Sequence, residues 1–135
     1  MTSITSLIKD RIVILDGAMG TSIQKRDLQE EDFRGQDFCD HPVDLKGNND
    51  LLCLTKPEVV TTIHEEFLRA GADLISTNTF NSTSIAQQDY ELSHICLELN
   101  ERAAQLAKEA CLKISQEENR PCFVGGAIGP TNRTC

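Results

Sequence analysis

Ile12-Val13-Ile14-Leu15-Asp16-Gly17-Ala18-Met19-Gly20-Thr21 is the stretch whose reading decides the fold. Four apolar, mostly β-branched residues run without alternation, the pattern of a parallel strand buried on both faces. The run ends on a carboxylate followed by Gly17 and Gly20. Glycines there permit a tight turn and close backbone approach to a ligand. An acid at the carboxyl end of a buried parallel strand lies where α/β folds place their ligands. The alternative is that Asp16 simply caps the turn or the next helix.

Working outward, residues 2–10 read as a short amphipathic helix with Ile4, Leu7 and Ile8 on one side. The first strand occupies 12–16. A long acidic connection runs from Gly17 to Leu54, with a short helix around 20–26. It carries Phe33, Phe38, Leu45, Leu51 and Leu52, so it can pack, and its length marks it as an ordered excursion over a site. Thr55-Lys56-Pro57-Glu58 fits a capping box with proline in the first turn. Val60, Ile63 and Phe67 follow at helical spacing, and Gly71 stops the helix.

The second strand is Ala72–Thr77, ending in Asn78-Thr79-Phe80-Asn81. A helical region spans about 83–117, broken near Asp89–Tyr90. Leu92, Ile95, Cys96, Leu99, Ala103, Leu106, Ala107, Ala110, Cys111 and Ile114 form its core stripe. The third strand is Cys122–Ile128, ending in Gly129-Pro130-Thr131-Asn132. The β, long loop, α, β, α, β order implies a parallel sheet with strand two in the middle. The three carboxyl ends are all small or polar and share one face, whereas the amino ends, at Arg11, Ala72 and Pro121, look plain.

Composition narrows the function. The chain has 135 residues and a net charge of −8, with no Trp and one Tyr. Nucleic acid and anionic membranes both demand a positive face, so neither is expected as a partner. No apolar run reaches membrane-span length and no signal-peptide core is evident, which makes cytoplasmic the expected location. The cysteines at 39, 53, 96, 111, 122 and 135 form no C-x-x-C and no zinc-finger spacing. Free thiols are expected.

Leu-Asp-Gly-x-x-Gly-Thr also suggests a phosphoryl-transfer aspartate of the haloacid-dehalogenase kind. That chemistry wants a second Asp two residues on, and position 18 is alanine. His41, His64 and His94 read as surface or packing residues rather than ligands. Asp16, ionised at neutral pH, has a ligand ammonium as its natural counterpart.

Leu15–Thr21, Phe33-Arg34-Gly35, Leu45-Lys-Gly-Asn-Asn-Asp-Leu-Leu52, Gly71–Ile75, Thr77-Asn-Thr-Phe-Asn-Ser-Thr-Ser-Ile-Ala86 and Gly129-Pro-Thr-Asn-Arg-Thr134 together resemble the N-terminal region of the cobalamin-dependent methionine synthases. The Asp-Gly turn is shared with the wider homocysteine S-methyltransferase family. Residues 1–135 then read as the truncated N-terminal part of a homocysteine-binding domain: α/β, a partial (β/α)8 TIM barrel of about its first three parallel strands with their helices.

The resemblance implies that homocysteine binds at the carboxyl face. Its thiol is held there as a thiolate by zinc on three cysteines and takes a methyl group from methylcobalamin, recharged by methyltetrahydrofolate. The family's substrate-contacting Asp maps onto Asp16, beside Gly17, with Asn78 and Thr79 at the second strand end. The zinc cysteines, which include an adjacent pair, lie beyond Cys135. Zinc and cobalamin therefore belong to the full-length family member, and neither is expected on this fragment, which is expected to be inactive alone. Its partners would be homocysteine and the cobalamin and folate modules of the whole enzyme. The alternatives are another thiol S-methyltransferase, using betaine or S-methylmethionine, and a non-catalytic remnant.

Overall fold

The computed structural model describes residues 3–131 and residue 133. Thr2, Asn132 and Cys135, expected in the first helix, at the third strand end and as a free thiol, lie outside the described residues.

Seven α-helices and two short strands are present among them: α1 (Ile4–Asp10), α2 (Met19–Gln24), α3 (Glu30–Arg34), α4 (Leu52–Thr55), α5 (Pro57–Arg69), β1 (Leu74–Ser76), α6 (Ser84–Gln87), α7 (Cys96–Glu118) and β2 (Phe123–Gly125). β1 pairs with β2 in parallel, with Leu74 opposite Phe123 and Ser76 opposite Gly125. Leu15 makes a parallel bridge to Leu74 on the other side of β1. The second predicted strand is therefore central.

The first strand requires correction. It contributes one bridge, and Ile12, Ile14 and Leu15 are 87, 55 and 57% exposed. Only its β1 side is hydrogen-bonded, and α1, which precedes it, buries none of its residues. Burial on both faces needs a layer on each side, and the described residues supply none over this run.

The 17–54 connection is ordered, as its apolar content suggested. It holds α2, α3 and a 3-10 turn at Asn49–Leu51 leading into α4. Ile23, Phe33, Leu45, Leu51 and Leu52 join Val60 and Ile63 of α5 and Leu99, Ala103 and Leu106 of α7 in one core. A second group joins Leu68, Ile75, Ala107, Ala110 and Ile114. Burying each such Leu or Ile stabilises the fold by roughly 1.5–3 kcal/mol in transfer terms.

The capping-box reading at Thr55 is also corrected. α5 starts on Pro57 with Lys56 as its N-cap and no side-chain cap. Thr55 is the last residue of α4, and its hydroxyl donates to the Leu51 carbonyl at 3.3 Å. Gly71 ends α5 as expected, at φ +107°, with its N–H on the Leu68 carbonyl. The break in the long helical region covers Gln88–Ile95, where two 3-10 turns flank Glu91 in the left-handed region. The core stripe is buried apart from Cys96, which is half-buried.

The amino ends of the strands are not plain. Arg11 forks onto Asp73, with Nη1 to Oδ2 at 2.7 Å and Nη2 to Oδ1 at 2.5 Å, and Asp73 Oδ2 also accepts the Ile14 N–H at 3.0 Å. Arg120 reaches the Ala72 and Leu68 carbonyls. These bonds pin the start of the first strand and of β2 to the start of β1. The Arg11 guanidinium holds the Asp73 carboxyl below its usual range.

Candidate functional site

A cleft of about 380 Å³ opens at the carboxyl ends of the strands. Its wall takes Asp16 and Gly17 from the first strand end, Ser76, Thr77 and Asn78 from the end of β1, and Ala127 from beyond β2. Ala18, Met19, Gly20, Asn49, Asp50, Phe80 and Asn81 complete it. The first two strand ends singled out in the sequence meet here, whereas the third enters through Ala127, and Gly129, Pro130 and Thr131, expected there, do not line the cleft.

Asp16 faces β1. Its Oδ2 accepts the Ser76 N–H at 3.0 Å and its Oδ1 the Ser76 hydroxyl at 3.1 Å. It caps no helix: the N-cap of α2 is Ala18, which has no side-chain cap. Burial raises the Asp16 carboxyl above its ordinary value, and the two Ser76 bonds oppose that rise. The left-handed residue of the turn is Ala18, φ 41°, rather than either glycine. A Cβ on Gly17 would meet nothing within 4 Å. What Gly17 contributes is a bare backbone edge to the cleft.

Asn78 is buried and fixed. Its Nδ2 donates to the Asn49 carbonyl at 2.9 Å and toward Cys53 Sγ at 3.6 Å. Thr79 does not line the cleft. It is buried behind the wall, paired hydroxyl to hydroxyl with Thr77 at 2.7 Å and donating to the Ala127 carbonyl at 2.8 Å. Ala127 in turn donates its N–H to Thr77 Oγ1 at 2.9 Å. These threonines extend the β1–β2 pairing past Gly125 and place Ala127 at the cleft.

Sequence reading did not single out Asp50. It lies in the 3-10 turn after Asn48 and is only 2% exposed. Its Oδ2 accepts the Asn81 N–H and the Ser82 hydroxyl, both at 2.7 Å. Burial raises its carboxyl, against those two bonds. Beneath it, the buried amides of Asn48 and Gln87 exchange hydrogen bonds at 2.8 and 3.0 Å, and Gln87 also holds the Asn81 carbonyl at 3.2 Å. The signal for Asp50 was the Lys-Gly-Asn-Asn-Asp run inside a loop already read as covering a site.

The wall contains two carboxylates and no Lys or Arg. Such a surface favours a cationic or ammonium-bearing ligand. Among the described residues, no three His, Cys, Asp or Glu side chains come together to hold a metal. The described cysteines are free. Burial pushes the Cys53 and Cys111 thiols up to about 12, the opposite of what a metal-binding thiolate needs. These residues do not fit a zinc site. Among them, no helix is long and apolar enough to cross a membrane.

A small parallel sheet whose strand ends converge on an acidic cleft defines an α/β domain built in the manner of carboxyl-edge ligand sites. The family profile described as homocysteine S-methyltransferase matches residues 13–135, and the chain belongs to that family. Its fold is similar to that of the homocysteine methyltransferase MmuM from Escherichia coli, with TM-scores of 0.72 to the metallated form and 0.73 to the oxidized form. Identity to each is 22%, over 93% of this chain and 40% of that one. The chain thus spans 40% of the length of these solved relatives.

Proposed function

We propose that the cleft seats the amino-acid end of homocysteine and that the chain is the homocysteine-binding portion of an S-methyltransferase. The observation that carries this reading is the convergence of three strand ends on one cleft lined by Asp16 and Asp50 without a basic residue. Asp16, Gly17 and Asn78 form the near wall, with Thr79 bracing it from behind. The sheet is read as the first three strands of a (β/α)8 barrel.

The Lys46-Gly-Asn-Asn-Asp50 and Gly129-Pro-Thr-Asn-Arg-Thr134 motifs favour an enzyme of the cobalamin-dependent methionine synthase kind, acting in the cytoplasm. Its methyl donor is methylcobalamin, recharged by 5-methyltetrahydrofolate. Zinc and cobalamin belong to other parts of that enzyme, since the described residues do not fit a metal. This chain's part is to bind and orient: anchoring the ammonium fixes where the thiol sulfur points. An S-methylmethionine or betaine donor is equally compatible with the family, and the donor decides between these readings.

Titration calorimetry of the chain with L-homocysteine tests the binding role, with saturable one-to-one heat as the expected result. Absence of any saturable binding overturns it. In the whole enzyme, labelled methyl should reach homocysteine from methylcobalamin. Transfer from S-methylmethionine or betaine instead overturns the donor assignment.

A further inference from the structure

The two carboxylates of the cleft are not equivalent. Ser76 engages both oxygens of Asp16, one through its N–H and one through its hydroxyl. In Asp50 a single oxygen, Oδ2, takes both protein donors. Oδ1 has no hydrogen-bond partner among the described residues. It is not sealed in the core either, since the only fully enclosed unpartnered side-chain atoms there are the ring nitrogens of His64. Asp50 forms part of the cleft wall, and Oδ1 is the oxygen that its protein donors leave open. Asn78 adds a second acceptor: its Nδ2 is engaged by Asn49 and Cys53, and its Oδ1 has no hydrogen-bond partner among the described residues.

On the reading of the cleft as an amino-acid site, we infer that Asp50 is the charge partner of the substrate ammonium, through Oδ1, with Asn78 of the same cleft wall as a second acceptor. An ammonium group carries three donors and needs converging acceptors. Asp50 is held by Asn81 and Ser82 before any ligand arrives, so little side-chain freedom is lost on binding. Its burial makes a cationic partner worth more than at an exposed carboxylate. Asp16 adds negative charge to the same wall and shapes it through Ser76.

The test compares L-homocysteine with 4-mercaptobutyrate, which has the thiol and carboxylate but no amino group. Asp50→Asn is expected to weaken L-homocysteine about 10- to 150-fold, the loss of one charge-assisted hydrogen bond, and to leave 4-mercaptobutyrate unchanged. An Asp50→Asn variant that keeps the wild-type preference for homocysteine overturns the assignment while leaving the binding role standing. A wild-type chain that binds neither thiol overturns both. Should the variant fail to fold, the carboxyl ¹³C resonance of Asp50 in the wild type decides. It should move with L-homocysteine and stay still with 4-mercaptobutyrate, and equal movement with both overturns the assignment.

Discussion

Asp16 uses its side chain to continue a β-ladder that its own backbone leaves. The Leu74 N–H donates to the Ile14 carbonyl at 3.2 Å, and the Asp16 N–H to the Leu74 carbonyl at 2.9 Å. In a regular parallel ladder the Ser76 N–H would next meet the Asp16 carbonyl. The chain turns away at Gly17, and the Asp16 carboxylate takes that N–H instead, adding the Ser76 hydroxyl. One side chain thus ends the strand and sets the edge of the cleft.

Breaking this latch should cost stability. In Asp16→Asn the amide offers one acceptor oxygen for two donors, and the expected loss is about 1.5–3 kcal/mol. Ser76→Ala removes only the hydroxyl bond and should cost about half as much. Denaturant unfolding of the two single variants and the double should show coupling between them. Strict additivity would mean that the two side chains act independently.

His64 makes stability depend on pH. It is fully buried on α5, neither ring nitrogen has a hydrogen-bond partner among the described residues, and burial lowers its pKa from 6.5 to about 4. The folded state holds it neutral, while the unfolded chain takes up a proton below 6.5. Its contribution is therefore complete above pH 6.5 and is lost as pH falls toward 4, about 3 kcal/mol in all. His64→Leu should flatten the stability profile across that window. An unchanged slope between pH 6.5 and 4 would assign it to other groups.

Gly129 passes so close to Phe80 that a Cβ on it would overlap the Phe80 carbonyl oxygen. Gly129→Ala should force that backbone apart and destabilise by about 1–3 kcal/mol. Gly17→Ala, where a Cβ meets nothing, should stay close to wild type. The difference between the two melting temperatures checks this, and equal melting temperatures would refute the close approach.

Thiol reactivity should follow exposure and pKa. Cys39 is exposed, whereas Cys53 and Cys111 are buried with thiols pushed up to about 12. Brief iodoacetamide treatment at neutral pH should label Cys39 and spare the other two. Peptide mass spectrometry showing early labelling of Cys53 or Cys111 would contradict their packing.

Local pattern alone determined the two long helices, α5 and α7, and the order of the sheet, while α3 and α4 in the acidic connection were not legible in it. The Leu99–Ile114 part of the stripe keeps its 3.6 period along α7 and is buried throughout, packed into the two core groups that include Ile63 and Leu68 of α5, so burial could be read from spacing. The polar strand ends likewise announced a cleft at one edge, because parallel strands share a direction. Tertiary structure alone decided which side chains meet there. Asp16 reaches Ser76 across 60 residues, Arg11 reaches Asp73 across 62, and Asp50 reaches Ser82 across 32. No propensity or period encodes those pairings. The exposure of Ile12, Ile14 and Leu15 belongs to the same class. β-branched runs specify a strand, but whether a strand is covered depends on what packs against it.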